Sequence, residues 1–212
     1  MKIKIDNIFT GILVICALIV TFLLLKKEFF TNERTTNVSN IANWQKLITY
    51  DKKIGTSSSK VYLIEFFDYE CPYCNTLEAT LDTIRLKYNN KIKIIRYHFP
   101  LSIHPLAYRA AVASECASMQ GYFDKYHKEL MRNQYKLNSI NFTELAKQIG
   151  IKDIGKFQKC IDYEETADVI AKDVSIAKEY KITGTPTLII NNKMISGVAD
   201  SKVIEKIIEE FL

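Results

Sequence analysis

Two of the five cysteines stand three positions apart, as Cys71-Pro72-Tyr73-Cys74, where the apolar run "KVYLIEFFDY" gives way to helical spacing. If Cys71 is the N-cap of that helix, Pro72 falls at its first position. Proline is favoured there because its missing N–H has no intrahelical partner to lose. The unpaired amides of the first turn, with the helix dipole, then face the Cys71 sulfur and favour its thiolate. Cys74 lies one turn inside, near enough for a short disulfide but shielded from solvent. An exposed, activated sulfur that attacks and a buried one that resolves the mixed disulfide suit thiol–disulfide exchange. A half zinc site and a purely structural disulfide are the plainer readings. Zinc takes four ligands and usually a second close pair. Cys116 and Cys160 are widely separated, and His98, His104 and His127 show no paired spacing. Neither a metal nor a cofactor is expected.

Glu65 interrupts the same apolar run six residues before Cys71. A carboxyl buried among apolar side chains resists ionising and can exchange a proton with a neighbouring thiol; a glutamate on a strand edge is the bland alternative. Asp68 and Glu70, closer to the turn, read as exposed loop acids that modulate the local field. His98 and His127 read as structural, His104 as a capping or loop residue, and the tyrosines as packing. Further on, "ITGTPTLII" sets Thr185-Pro186 just before a late strand, where proline is tolerated. The isomer of that bond is not legible in sequence.

The elements that must carry these residues follow from periodicity. "KVYLIEFFDY" is β-branched and aromatic, as a buried strand is. Leu77, Leu81, Ile84 and Tyr88 continue it as a helix to about residue 89, and "KIKIIRYHF" is a second strand. Strand–helix–strand implies a parallel pair in an α/β sheet. From Leu106 to about Lys181 nearly everything is helical, with Gly121, Gly150 and Gly155 as breaks. That block is too long for a two-layer sheet unit and reads as an insertion with its own lobe. "TPTLIINNKMISGV" alternates about Asn191-Asn192 as a hairpin does, and Val203, Ile204, Ile207, Ile208 and Phe211 make a last amphipathic helix.

The N-terminus has a different character. Residues 8–25, "IFTGILVICALIVTFLLL", carry no charge, and Lys2, Lys4, Lys26 and Lys27 flank them. That is the length of a membrane-spanning helix, with only a weak orientation from its flanks. A cleaved signal peptide would need a small-x-small site, which "TFLLLKKEFF" lacks. Ile15 is too bulky for a lipoprotein motif at Cys16. The expectation is an uncleaved anchor over residues 1–30, a polar tether over 31–45 and a catalytic domain over 46–212, its insertion at about 106–181. Net charge over the 212 residues is +5, with no dense basic run beyond the first segment. Nucleic acid is therefore not expected as a partner.

Taken together, "FFDYECPYC", "FPLSIHPLAYRAAVASECA", "QGYFDKYHKEL" and "GTPTLIINNKMISG" resemble the DsbA-like branch of the thioredoxin superfamily, most closely its membrane-anchored thiol:disulfide oxidoreductases. The resemblance covers roughly residues 50–212. It implies an α/β thioredoxin fold with a helical insertion, preceded by one transmembrane helix. It implies Cys71 as nucleophile, Cys74 as resolving cysteine, Glu65 at the buried acid position and a cis bond at Thr185-Pro186. The Thr185 backbone would pair with a client strand, and Pro72 and Tyr73 would border the client groove. Tyr73 supplies no positive charge beside the thiolate, so a milder oxidant is implied than in members with histidine there. "CPYC" also occurs in glutaredoxins, but the long insertion argues against that reading.

Some relatives of this type carry a second bridge in the helical lobe, which Cys116 and Cys160 would form here. It would close a loop of roughly 45 residues, worth about 4 kcal/mol on the loop-entropy account. Two buried free thiols, or a second relay, remain the alternatives. With Cys16 in the anchor, the count fits an oxidising compartment. The implied function is the introduction of disulfides into reduced or unfolded secreted proteins, at a membrane and facing the periplasm or cell exterior. A membrane oxidase would regenerate the disulfide. A reductase or isomerase of the same fold, and a non-catalytic polypeptide-binding chaperone, are the competing functions.

Overall fold

The computed structural model describes residues 5–30, 37–50 and 59–212. The chain divides into two units, Met1–Thr35 and Thr36–Leu212. The first contains helix α1, Ile5–Phe30, in which Ile12, Leu13, Leu18 and Phe22 are exposed. The expected transmembrane helix over residues 8–25 is corrected here. Among the described residues no helix is long and apolar enough to cross a membrane. Of the expected tether, residues 31–36 lie outside the described residues.

The second unit is built on a five-stranded sheet in the order β1-β5-β4-β2-β3. Strand β2 (Val61–Phe67) lies parallel to β3 (Ile92–His98) on one side and antiparallel to β4 (Thr187–Ile190) on the other. β4 turns at Asn191 into β5 (Lys193–Ser196), the hairpin that the alternation predicted. At the far edge β1 (Val38–Asn40), within the expected tether, pairs antiparallel with β5. Val38, Ser39 and Asn40 are exposed and too few to carry a strand periodicity in the sequence.

β2 is buried on both faces, so its apolar residues run on instead of alternating with polar ones. Leu63 points to the layer of α3 (Pro72–Tyr88) and α9 (Ser201–Glu209), against Leu77, Leu81, Ile204 and Ile208. Ile64 and Phe66 point the other way, against Leu47 of α2 (Gln45–Tyr50) and Ile176 of α8 (Ala167–Glu179). Each such side chain contributes about 2 kcal/mol on leaving water. Between β3 and β4 comes the helical insertion: α4 (Ala107–Ser118), α5 (Phe123–Arg132), a 3-10 turn (Gln134–Ser139), α6 (Phe142–Gln148), α7 (Ile154–Asp162) and α8. Gly121 and Gly150 adopt the left-handed backbone that ends their helices. Gly155 marks no break; it lies inside α7.

The lobe has its own core, in which Tyr126, Leu130 and Phe157 are fully buried. Phe67 from the end of β2, with Cys71 and Cys74, belongs to that core and not to either sheet layer. The thiol pair thus lies on the seam between sheet and lobe.

Candidate active site

Strand β2 ends at Phe67 and α3 begins at Pro72, so four residues make the turn that presents Cys71. Asp68 shapes it: its Oδ1 accepts from the Glu70 N–H at 2.7 Å and its backbone carbonyl from the Cys71 N–H at 3.2 Å. Cys71 is the N-cap, with extended backbone and Pro72 in the first turn. Below it, Leu77, Leu81, Ile84 and Tyr88 bury one face of α3, and Asn89 ends the helix at φ 44°.

Cys71 and Cys74 are both free thiols. Cys74 is fully buried, and Cys71 is only 4% exposed, a smaller opening than the sequence implied. Thr185 covers it: the Cys71 Sγ donates to the Thr185 carbonyl at 3.2 Å. The Thr185-Pro186 bond is cis. The Cys71 thiol is lowered to about 5, chiefly by a hydrogen bond from the Cys74 side chain. Burial opposes this; Thr185 and the backbone amides of Cys74 and Tyr73 reinforce it. Burial drives Cys74 in the opposite direction, far above an ordinary thiol, with Cys71 and Glu65 adding to the rise. The two sulfurs, one turn apart, are thus strongly unequal acids.

Glu65 is fully buried behind them. Burial pushes its carboxyl up to about 8; Arg96 opposes this, while Glu78 and Cys71 add to it. Arg96 stands opposite Glu65 in the β2–β3 register, with its Nε 3.5 Å from the Glu65 Oε2. Its Nη2 donates to both carboxylate oxygens of Glu78, at 3.0 and 2.7 Å. Burial would raise Glu78, but His127 and Arg96 outweigh it and hold that carboxyl well below the usual range. His127, from the lobe, reaches Glu78 at 3.4 Å through Nε2 and the Tyr69 hydroxyl at 3.0 Å through Nδ1. Burial lowers His127 to about 4, leaving the ring neutral near pH 7. One arginine therefore serves two buried carboxyls, and the proton resides on Glu65.

Asp68 and Glu70 depart from the expectation of exposed loop acids. Asp68 is buried; its Oδ2 accepts from the Leu101 N–H and pairs with His104 Nδ1, each at 2.8 Å. The Glu70 Oε2 accepts from the N–H groups of Leu106 and Ala107, at 2.5 and 2.8 Å, where α4 begins. Both carboxylates tie the active-site turn to the lobe's entry by accepting from amides ahead of and at the start of α4.

The structure brings Cys71, Cys74, Glu65, Thr185 and Pro186 together. Pro72 and Tyr73 are exposed beside them, Tyr73 at 59%. Cys116 and Cys160 lie apart, joined by a disulfide of 2.01 Å between α4 and α7. Reading the sequence passed over Arg96 and Glu78 and took His127 as structural. One signal was available for Arg96, a charge inside β3 whose parallel pairing sets it across from Glu65.

The thioredoxin family model matches residues 49–210. A Na(+)/H(+) antiporter NhaA 3 of Salinispora tropica is 31% identical over 144 residues, 68% of this chain and 22% of the antiporter. The chain spans no more than about a quarter of the length of the curated relatives it matches first. Among solved structures, BdbD from Bacillus subtilis has a TM-score of 0.66 at 24% identity, covering 74% of this chain and 90% of that one. A thioredoxin-like oxidoreductase from Silicibacter pomeroyi has a TM-score of 0.62 at 20% identity, covering 84% and 93%. At these identities the structural likeness speaks for the fold.

Proposed function

The chain belongs to the thioredoxin family, and from that premise we propose that it is a DsbA-like protein thiol:disulfide oxidoreductase that donates the Cys71–Cys74 disulfide to reduced client proteins. The observation that carries this reading is the inequality of the two sulfurs. The Cys71 thiol, the N-cap of α3, is lowered to about 5, whereas burial raises the Cys74 thiol far above its ordinary value. A client thiolate attacks the Cys71 sulfur of the disulfide and the Cys71–Cys74 bond breaks. Cys74 leaves and takes the proton held by Glu65. A second client thiolate then attacks the client's own sulfur in the mixed disulfide and expels Cys71 as thiolate. Two electrons pass from the client dithiol to the pair, and the Glu65 carboxylate recovers its proton from solvent.

A stable Cys71 thiolate is a good leaving group, and it stabilises the reduced pair. Both favour the oxidant direction over reduction or isomerisation. The Cys116–Cys160 disulfide supports an oxidising compartment outside the cytoplasm. The clients we propose are reduced proteins of that compartment, and a separate oxidase would restore the disulfide. The exposed ring of Tyr73, next to Pro72, is the apolar surface on which an extended client would lie.

The test is covalent capture. Cys74→Ser should accumulate mixed disulfides between Cys71 and client proteins, whereas Cys71→Ser should capture none and lose oxidase activity on reduced RNase. Equal oxidation of clients by wild type and Cys71→Ser would defeat the enzyme reading and favour a polypeptide-binding module.

A further inference from the structure

Gln134 opens the 3-10 turn that follows α5, so it belongs to the lobe, yet its side chain crosses to the turn ahead of α3. Its Nε2 donates to the carbonyls of Tyr69 and Cys71, each at 2.8 Å. Both partners are pure acceptors. The amide must therefore present its NH2 group, one hydrogen to each. The Cys71 carbonyl also accepts from the N–H groups of Cys74 at 3.0 Å and Asn75 at 3.4 Å, the first bonds of α3. Helix bonds hold that carbonyl from one side and Gln134 holds it from the other. With the Tyr69 carbonyl gripped as well, the peptide planes before Glu70 and after Cys71 are both held. Cys71 is thereby held where its Sγ lies 3.2 Å from the Thr185 carbonyl, at the start of α3.

We propose that Gln134 is a positioning residue for the nucleophile: by clamping the Tyr69 and Cys71 carbonyls, it fixes the turn that sets the Cys71 sulfur at the start of α3 and against Thr185. The helical insertion then sets the reactivity of a cysteine carried by the sheet. This rests on the exchange reading above, but it is tested on the isolated chain without a client. A comparison residue is at hand in Gln120. It makes a similar two-bond amide clamp, donating to the Asp153 carbonyl at 2.9 Å and accepting from the Asp153 N–H at 3.2 Å. Neither of those groups lies in the active-site turn.

In the reduced, full-length chain, the Cys71 thiolate is titrated by its ultraviolet absorbance, and the pair is equilibrated against glutathione. Gln134→Leu should raise the thiolate midpoint by about 0.7 unit and weaken the protein as an oxidant of glutathione about fivefold, the factor set by one net hydrogen bond. Gln120→Leu should lower the thermal midpoint and leave both readouts at their wild-type values. The proposal is overturned if Gln134→Leu lowers only thermal stability, or if Gln120→Leu shifts the titration equally. Should Gln134→Leu fail to fold, the wild type decides. The side-chain NH2 signals of Gln134 in glutamine-labelled protein should move with the Cys71 midpoint, and signals that stay flat through that titration overturn the clamp. A null result here leaves the exchange reading standing, because client capture by Cys74→Ser is measured separately.

Discussion

Replacing Glu65 by glutamine isolates the cost of charging the buried acid. In the folded chain its carboxyl titrates at about 8, against 4.5 when solvated. Between those values the folded state holds a proton that the unfolded state has released. Its contribution is complete below 4.5 and is lost as the pH rises through 8. Glutamine keeps the shape and cannot ionise. The stability of Glu65→Gln relative to wild type should therefore climb with pH, by about 1 kcal/mol at pH 5, about 3 at pH 7 and about 4 at pH 8. Cys71 works in the opposite sense. Its lowered thiol adds stability as the pH rises from 5 towards 9. Comparing the two proteins removes most of that term, since both contain Cys71. In the disulfide form Cys71 does not titrate and its thiolate no longer lifts Glu65, so the window should close from the top. The assay is urea unfolding at half-unit steps of pH, with reduced and oxidised protein in parallel. Curves for the two proteins that stay parallel from pH 5 to pH 8 would show that Glu65 does not hold its proton, and the proposed step to Cys74 would fall with it.

Arg96→Met strips the buried Glu78 carboxylate of its bidentate partner. It should cost about 3–5 kcal/mol in denaturant unfolding, with much of the loss recovered in Arg96→Met/Glu78→Leu. Asp68→Ala leaves the N–H groups of Glu70 and Leu101 and the His104 ring without their acceptor, at a cost of about 3 kcal/mol. Replacing Cys116 and Cys160 together by alanine should cost about 2–4 kcal/mol, since the bridge closes a separation of 44 residues. The glutathione equilibrium of the Cys71 pair should not change in that double variant.

How much of this was legible follows from where each residue finds its partners. The cap at Cys71, the helix below it, the β2–β3 pair and the β4–β5 hairpin rest on neighbours in sequence, so spacing revealed them. Asp68 and Glu70 were misread because burial of an acid is decided by what comes to meet it. Here that is the amides of residues 101, 106 and 107, more than thirty positions away. His127 was read as structural, and Gln134 went unremarked, for the same reason. They come from α5 and the turn after it, and touch the site at separations of 58 and 65 residues from Tyr69. The sheet and the first turn of α3 would by themselves give a thiol pair at a helix end. Asp68, Glu70, His127 and Gln134 each join that pair's surroundings to the lobe. The insertion is therefore part of the site's electrostatics as well as a cover for it. A change confined to the lobe that shifts the Cys71 titration is the behaviour this arrangement requires, whereas a lobe serving only as a lid would alter client affinity alone.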